Sequence, residues 1–206
     1  MPTYKNPELL AIKEGRFEPI RWDEFRYFYK KAWDEEHANL LVFAYLTGIR
    51  PIEINFLKRE DFDKRGSYLQ VRIATAKRGM ARTLFLPICN EETEKLKEWV
   101  FSKVFPKEYI FPSFVKVKAR DRFLHLNRKC EIGRWVEGKF YPFSFYVFRH
   151  NILTLLAENG ADFLELQMFK GARVDRRLFG SVAYYIHFSE KMALKIGKIL
   201  RKIMKE

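Results

Sequence analysis

The stretch "FRHNILTLLAENGAD", residues 148 to 162, joins two polar side chains to an otherwise apolar helical pattern. Arg149 and His150 open the pattern, and Asn159-Gly160 ends it. A helix that only fills a core rarely begins with two such polar groups. We therefore expect Arg149 and His150 to be held in place for a chemical task.

A second arginine, Arg50, is predicted to lie in a tight corner between two helices. Gly48 ends the first of these helices, and Pro51 and Glu53 take the first and third positions of the next. This corner fixes where Arg50 points, although a surface arginine that caps a turn would show the same pattern. Lys77 lies at the tip of a predicted hairpin.

The net charge of the chain indicates what these cations bind. Thirty-nine Lys and Arg residues stand against 26 Asp and Glu, which gives a net charge of +13. Such an excess usually indicates a polyanionic partner, most often DNA or RNA. The alternative is a lysine-rich solvated surface of the kind found in heat-stable proteins.

The composition predicts a folded, soluble protein. The 206 residues are 48% hydrophobic, with 20 Phe and 10 Tyr, which suits one domain or one domain with an appendage. The absence of a long apolar run and of a signal peptide predicts a cytoplasmic protein without a membrane partner. Cys89 and Cys130 lack the spacing of disulfide or zinc ligands, and no metal or other cofactor is expected.

The elements that position these residues are mainly helical. Apolar periodicity predicts helices over Arg21 to Trp33, Glu35 to Leu46, Glu91 to Phe105, 147 to 158, 162 to 169, and from about Ser189. Alternation over Tyr68 to Ile73 and Thr83 to Leu86 predicts strands. The fold class is therefore mainly α with a small antiparallel β-sheet (α+β), of about three strands near residues 67 to 88.

Residues 106 to 144 give no clear pattern. They carry a basic run interleaved with aromatic residues, comprising Lys116, Lys118, Arg120, Arg122, Arg128, Lys129 and Arg134. The stretch is either a solvated loop region or a DNA-facing insertion.

Four motifs in this order resemble the tyrosine recombinases, the phage-integrase family. "TGIRPIE" is similar to the family's TGLRxxE box, and "ATAKRGMARTLFLP" to its KGxxR hairpin, with Lys77 27 residues after Arg50. "FRHNILTLLAENGADFLELQMFKG" resembles the second box, and "YIHF" the terminal YTHV that marks the nucleophile. The four motifs lie between Thr47 and Phe188, and the resemblance as a whole is taken to cover residues 21 to 188, nearly the whole chain.

The resemblance implies a site-specific recombinase that cleaves and rejoins double-stranded DNA through a covalent 3′-phosphotyrosine, without metal or ATP. Arg50 and Arg149 would stabilise the charge on the phosphate, because planar guanidinium forks suit it. Lys77 would protonate the leaving 5′-oxygen, and His150 would aid deprotonation of the nucleophile. Tyr184 and Tyr185 are neighbours, and only one of them can be the nucleophile. The Tyr-x-His spacing, with His187, selects Tyr185.

Two positions depart from the family pattern. The histidine of the HxxR box falls on Tyr146, which can donate one hydrogen bond but carries no charge. The histidine of the LGH motif falls on Ala172, and Arg173 next to it is the candidate replacement. Archaeal viral and plasmid integrases vary at these positions, so the departures favour that branch, although a degenerate domain is the alternative.

The resemblance also implies DNA contacts and assembly. The candidate DNA-binding residues are Arg78, Arg82, Lys116, Lys118, Arg120, Arg122, Arg176 and Arg177. The last helix carries an apolar face, which we expect to dock in cis or, on DNA, on a second copy in a dimer or tetramer. That face comprises Met192, Ile196, Ile199, Leu200 and Ile203. No small-molecule substrate is expected.

The predicted organisation is a lead-in over residues 1 to 19, a catalytic domain over 20 to 188 and the amphipathic helix over 189 to 206. The family's N-terminal core-binding domain is absent from this organisation, which suits a catalytic fragment or a minimal form. Two other functions stay open, a type IB topoisomerase-like nicking-closing enzyme and a non-catalytic DNA-binding module. A metal-dependent nuclease ranks below both, because no Asp/Glu cluster has a suitable spacing.

Overall fold

The computed structural model describes residues 17–74, 81–102, 109–115, 119–172 and 189–205. The helices are α1 Trp22–Tyr29, α2 Glu35–Thr47, α3 Pro51–Ile54, α4 Glu91–Ser102, α5 Ala119–Lys129, α6 Phe145–Glu158, α7 Phe163–Phe169 and α8 Glu190–Ile203. The strands are β1 Phe62–Arg65, β2 Tyr68–Ile73, β3 Arg82–Pro87, β4 Gly133–Val136 and β5 Lys139–Pro142. No helix within these ranges is long and apolar enough to cross a membrane. The predicted fold class, mainly α with small antiparallel sheets, is confirmed.

Helix α2 forms the centre of the core. The Asp34 side chain caps its start by accepting a hydrogen bond from the His37 backbone nitrogen at 2.7 Å. Every residue from Asn39 to Thr47 is buried, because α1, α4 and α6 all pack around this helix. The helix ends at Gly48, whose φ of 55° is left-handed.

The three-stranded sheet has the order β1-β2-β3, with antiparallel neighbours. Val71 pairs with Phe62 on one side and with Leu84 on the other, and all three side chains are buried. The predicted sheet near residues 67 to 88 is therefore present, with β1 lying just before that range.

Two stretches differ from the prediction. Helix α1 ends at Tyr29 and not near Trp33, because the chain turns at Lys30 and Lys31 before the Asp34 cap. The basic stretch 106–144 contains helix α5 and the hairpin β4-β5 in its described parts. Its buried apolar residues, such as Phe123 and Leu126, are spaced for a helix, but the many charges between them obscured that pattern.

Helix α8 docks in cis on the same chain. It packs on β3, α6 and α7, and buries Ile196, Leu200 and Ile203 of its predicted apolar face. A Cβ atom added at Gly197 would lie 2.8 Å from the Phe85 carbonyl oxygen, so the helix backbone touches the sheet directly. On its outer side, Lys195 pairs with Glu165 of α7 at 2.7 Å.

Candidate functional site

Arg50 is held at the start of α3 by Glu53. The Glu53 carboxylate accepts a hydrogen bond from the Arg50 backbone nitrogen at 2.9 Å and another from its guanidinium at 2.8 Å. Pro51 at the first helical position favours this corner, because its fixed φ suits the first turn. The Arg50 side chain is 39% exposed, so it keeps donor groups that face outward.

The same carboxylate binds Arg82 at the start of β3. Two terminal nitrogens of Arg82 donate to the two Glu53 oxygens at 2.9 and 3.0 Å, and both side chains are 1% exposed. Burial alone would raise the pKa of Glu53, but hydrogen bonds and charge from Arg82 and Arg50 hold that pKa below its usual value. In this structure the Arg82 guanidinium, predicted to contact DNA, is enclosed and paired with Glu53, so it does not lie at the surface.

Arg149 is brought to Arg50 from a distant part of the chain. It follows the Ser144 cap that starts α6, and its guanidinium donates to the carbonyl oxygens of Gly48 at 2.7 Å and Lys170 at 2.6 Å. Burial, and then the charges of Arg50 and Arg82, lower the pKa of Arg149 to about 10. Within the described ranges no carboxylate forms an ion pair with Arg149. Arg149 is thus a fixed, largely buried cation without a counter-ion in those ranges.

Gly48 makes this approach of α2 and α6 possible. A Cβ atom at position 48 would lie 3.1 Å from the Cα atom of Arg149 and 3.1 Å from the Ile152 side chain. The left-handed φ of Gly48 also turns the chain sharply toward Arg50. One glycine therefore directs its carbonyl toward Arg149 and sets the corner that carries Arg50.

His150 lies beside Arg149, and its ring contacts Tyr146 one turn earlier. The two ring centroids are 4.4 Å apart in an edge-to-face arrangement, and Tyr146 is 51% exposed. Burial, together with the positive charges of Arg149 and Lys170, lowers the pKa of His150. At neutral pH the imidazole is therefore uncharged and can accept a proton.

The phage integrase family model matches residues 23–190. The chain belongs to the phage integrase family. Its fold is similar to the crystal structure of XerA recombinase, with a TM-score of 0.55 and 20% identity over 85% of this chain and 62% of that one. It is also similar to XerH site-specific recombinase bound to difH substrate in a pre-cleavage complex, with a TM-score of 0.55 and 18% identity over 84% of this chain and 51% of that one.

The chain thus spans between half and two thirds of the length of these two recombinases. At such identities the likeness shows the fold. The comparison with curated proteins gives no match.

Of the remaining predicted residues of this integrase-family domain, two lie within the described ranges and the others lie outside them. Arg120 is exposed on α5, whereas Arg122 is half-buried with its guanidinium 5.5 Å from the Phe114 ring centroid. Helix α5 packs on α3, the helix that Arg50 precedes. Eight predicted residues lie outside the described ranges: Lys77, Arg78, Lys116, Lys118, Arg173, Arg176, Arg177 and Tyr185.

Lys170, at the end of α7, is a site residue that was not predicted from the sequence. Its backbone carbonyl binds Arg149, and its half-buried side chain affects the pKa of His150. Its position two residues before Ala172, where the family pattern has a histidine, was the available signal. The described residues include no group of three His, Cys, Asp or Glu that could hold a metal ion.

Proposed function

We propose that this domain cleaves and rejoins double-stranded DNA as a site-specific recombinase of the integrase type. The observation that carries the proposal is the Arg149 guanidinium, held beside Arg50 without a carboxylate counter-ion in the described chain. Buried cations need compensating charge. A phosphodiester supplies that charge, and its negative charge grows at the phosphoryl oxygens as a nucleophile attacks.

The proposed reaction uses a tyrosine nucleophile. The Tyr185 oxygen forms a bond to the scissile phosphorus while the bond from phosphorus to the 5′-oxygen breaks. The proton of the phenol passes to His150, and the leaving 5′-oxygen takes a proton from Lys77. Rejoining reverses each transfer, so the phosphotyrosine bond preserves the energy of the original linkage and neither ATP nor metal is consumed.

The geometry around the arginines supports their proposed role. Arg149 commits two N–H groups to backbone carbonyls, which fix its plane, and keeps further donors for a phosphate. Arg50 commits one guanidinium hydrogen bond to Glu53 and is more than a third exposed. Two guanidinium groups so anchored can hold a phosphate without reorganising during the reaction.

Duplex DNA is the partner that fits the charge of this chain. The net charge of +13 favours a polyanion, and the XerH structure with its difH substrate is a DNA-bound example of the same fold. We expect binding to weaken steeply with salt, because each phosphate contact releases counterions. We further propose that α8, docked in cis in the single chain, exchanges onto a second copy when subunits assemble on DNA.

The test is a suicide substrate, a duplex nicked close to the cleavage position so that the released fragment cannot be rejoined. The full chain should form a covalent protein–DNA adduct, Tyr185→Phe should form none while still binding DNA, and Tyr184→Phe should retain the adduct. Adduct mapped to Tyr184 would reassign the nucleophile. Binding without adduct in the unaltered chain would favour a non-catalytic DNA-binding module.

A second experiment separates a recombinase from a topoisomerase-like enzyme. Both relax supercoiled DNA, since each nicks and closes one strand. Only a recombinase pairs two duplexes and exchanges strands between them. Relaxation without pairing of two labelled duplexes would favour the topoisomerase-like activity.

A further inference from the structure

Lys170 lies at the end of helix α7, close to Arg149 and Arg50. Its carbonyl oxygen accepts the 2.6 Å hydrogen bond from Arg149, which fixes the Lys170 backbone against the guanidinium. The side chain is half-buried, and its ammonium forms no ion pair with a carboxylate in the described parts of the chain. A lysine held beside arginines without such a counter-ion calls for an explanation.

The charges around Lys170 are strongly unbalanced. Four cationic side chains, those of Arg50, Arg82, Arg149 and Lys170, act on one another or share the single carboxylate of Glu53. Burial, and then the charges of Arg149 and Arg50, lower the pKa of Lys170. Without a ligand this arrangement costs stability through like-charge repulsion, and a bound phosphate would remove that cost.

We propose that Lys170 is a further catalytic residue, whose ammonium contacts a non-bridging oxygen of the scissile phosphate beside Arg50 and Arg149. The assignment assumes the proposed function. Its supporting observation is the position of Lys170, whose backbone carbonyl binds Arg149 and whose ammonium has no carboxylate partner in the described parts of the chain. Ala172, two residues further on, has no side-chain donor for this task.

A lysine can do what a third guanidinium would do less well here. Its ammonium is compact, carries three donors and moves on a flexible stem, so it can follow the phosphoryl oxygens as the phosphorus changes geometry. The two arginines are fixed by Gly48, Lys170 and Glu53 and cannot follow in the same way. Lys170 therefore adds charge stabilisation at the stage when negative charge is greatest.

The first experiment needs no DNA. NMR titration of His150 in the free protein should give a higher pKa in Lys170→Met than in the unaltered chain, because a neighbouring positive charge is gone. The melting temperature of Lys170→Met should equal or exceed that of the parent, since repulsion with Arg149 and Arg50 is relieved. The control Lys64→Met removes an exposed lysine on β1 and should leave the His150 pKa unchanged. An unchanged His150 pKa in Lys170→Met would overturn the placement.

The second experiment measures single-turnover cleavage of the nicked duplex. Lys170→Met should slow adduct formation by roughly 10²-fold, the scale for one preorganised donor, while Lys170→Arg should recover only part of that loss. A methylphosphonate at the scissile position removes the negative charge of that phosphate. The difference in cleavage rate between Lys170→Met and the parent should therefore be smaller on this substrate.

The outcomes separate this inference from the proposed function. If Lys170 binds a flanking phosphate, Lys170→Met weakens DNA affinity, and the gap in rate persists on the methylphosphonate. That result, or an unchanged rate on ordinary DNA, would overturn the catalytic assignment of Lys170. Failure of the parent chain to form any adduct would overturn the proposed function itself, whatever the titration of His150 shows.

Discussion

Glu53 binds Arg82 through both carboxylate oxygens at 2.9 and 3.0 Å, and with the same two oxygens it holds the backbone and guanidinium of Arg50. The bidentate pair is fully enclosed, whereas Arg50 reaches the surface. The position of Arg50 therefore depends on an arginine that a ligand cannot touch.

Replacing Arg82 with methionine should destabilise the protein by about 3–5 kcal/mol, because the Glu53 carboxylate loses its buried partner. Urea denaturation measures this change. The double variant Glu53→Gln/Arg82→Met should recover much of the stability, since it leaves no buried carboxylate that has lost its partner. Its DNA cleavage should nevertheless remain slower than that of the parent, because the amide of Glu53→Gln has no charge with which to hold the Arg50 guanidinium. Full cleavage by the double variant would mean that Arg50 does not need Glu53.

Gly48→Ala should destabilise the fold more than Gly66→Ala. Both glycines have positive φ, 55° and 58°, so each alanine should cost about 1–2 kcal/mol of backbone strain. Only Gly48 has neighbours, with the Arg149 Cα atom 3.1 Å from an added Cβ, whereas Gly66 has nothing within 4 Å. Chemical denaturation gives the loss of unfolding free energy in each variant, and the difference between the two losses is the cost of the contact with α6. Equal losses would show that the helices can move apart freely.

The stability of the protein should fall between pH 7 and pH 5 because of His37. This ring is fully buried beside Asn127, at 2.9 Å, and burial lowers its pKa to about 4. The unfolded chain takes up a proton near pH 6.5 while the folded chain does not, so stability declines as pH falls from 6.5 toward 4. The expected loss by pH 5 is about 2 kcal/mol, from 1.36 kcal/mol per pKa unit.

Urea titrations at the two pH values check this expectation. His37→Gln should remove most of the dependence, whereas His125→Gln, at an exposed position on α5, should leave it in place. Glu53 contributes only at lower pH, because the pKa of its carboxyl lies below the usual value. If His37→Gln lost as much stability between pH 7 and pH 5 as the parent, groups other than His37 would be responsible for the pH dependence.

Gly197→Val should release α8 from the sheet. The added side chain would meet the Phe85 carbonyl oxygen at 2.8 Å and the Tyr68 ring at 3.1 Å. Hydrogen exchange of the amides of residues 190–203 should therefore accelerate, while Lys198→Val on the exposed side should change it little. Slow exchange in Gly197→Val would mean that the helix finds another docking position.

The parts of the fold that depend on local sequence pattern could be predicted from the sequence. The central helices, the Gly48 corner and the sheet follow from periodicity and turn residues, and the motif order predicted that Arg50 and Arg149 would meet. The partner of Arg82 could not be predicted, because Glu53 lies 29 residues earlier and meets it only through tertiary packing. The basic run at Arg120 and Arg122 hid a helix, since charges between apolar positions resemble a solvated loop.

Arg149 ties the end of α2 to the end of α7 through the carbonyls of Gly48 and Lys170. A library of variants screened only for folded, soluble protein should therefore still reject most replacements of Arg149, while it accepts changes at His150 and Lys170. Retention of this arginine among descendants of the chain would then be no evidence of activity. Retention of Lys170, which the fold alone does not require, would be the more informative mark of selection for cleavage.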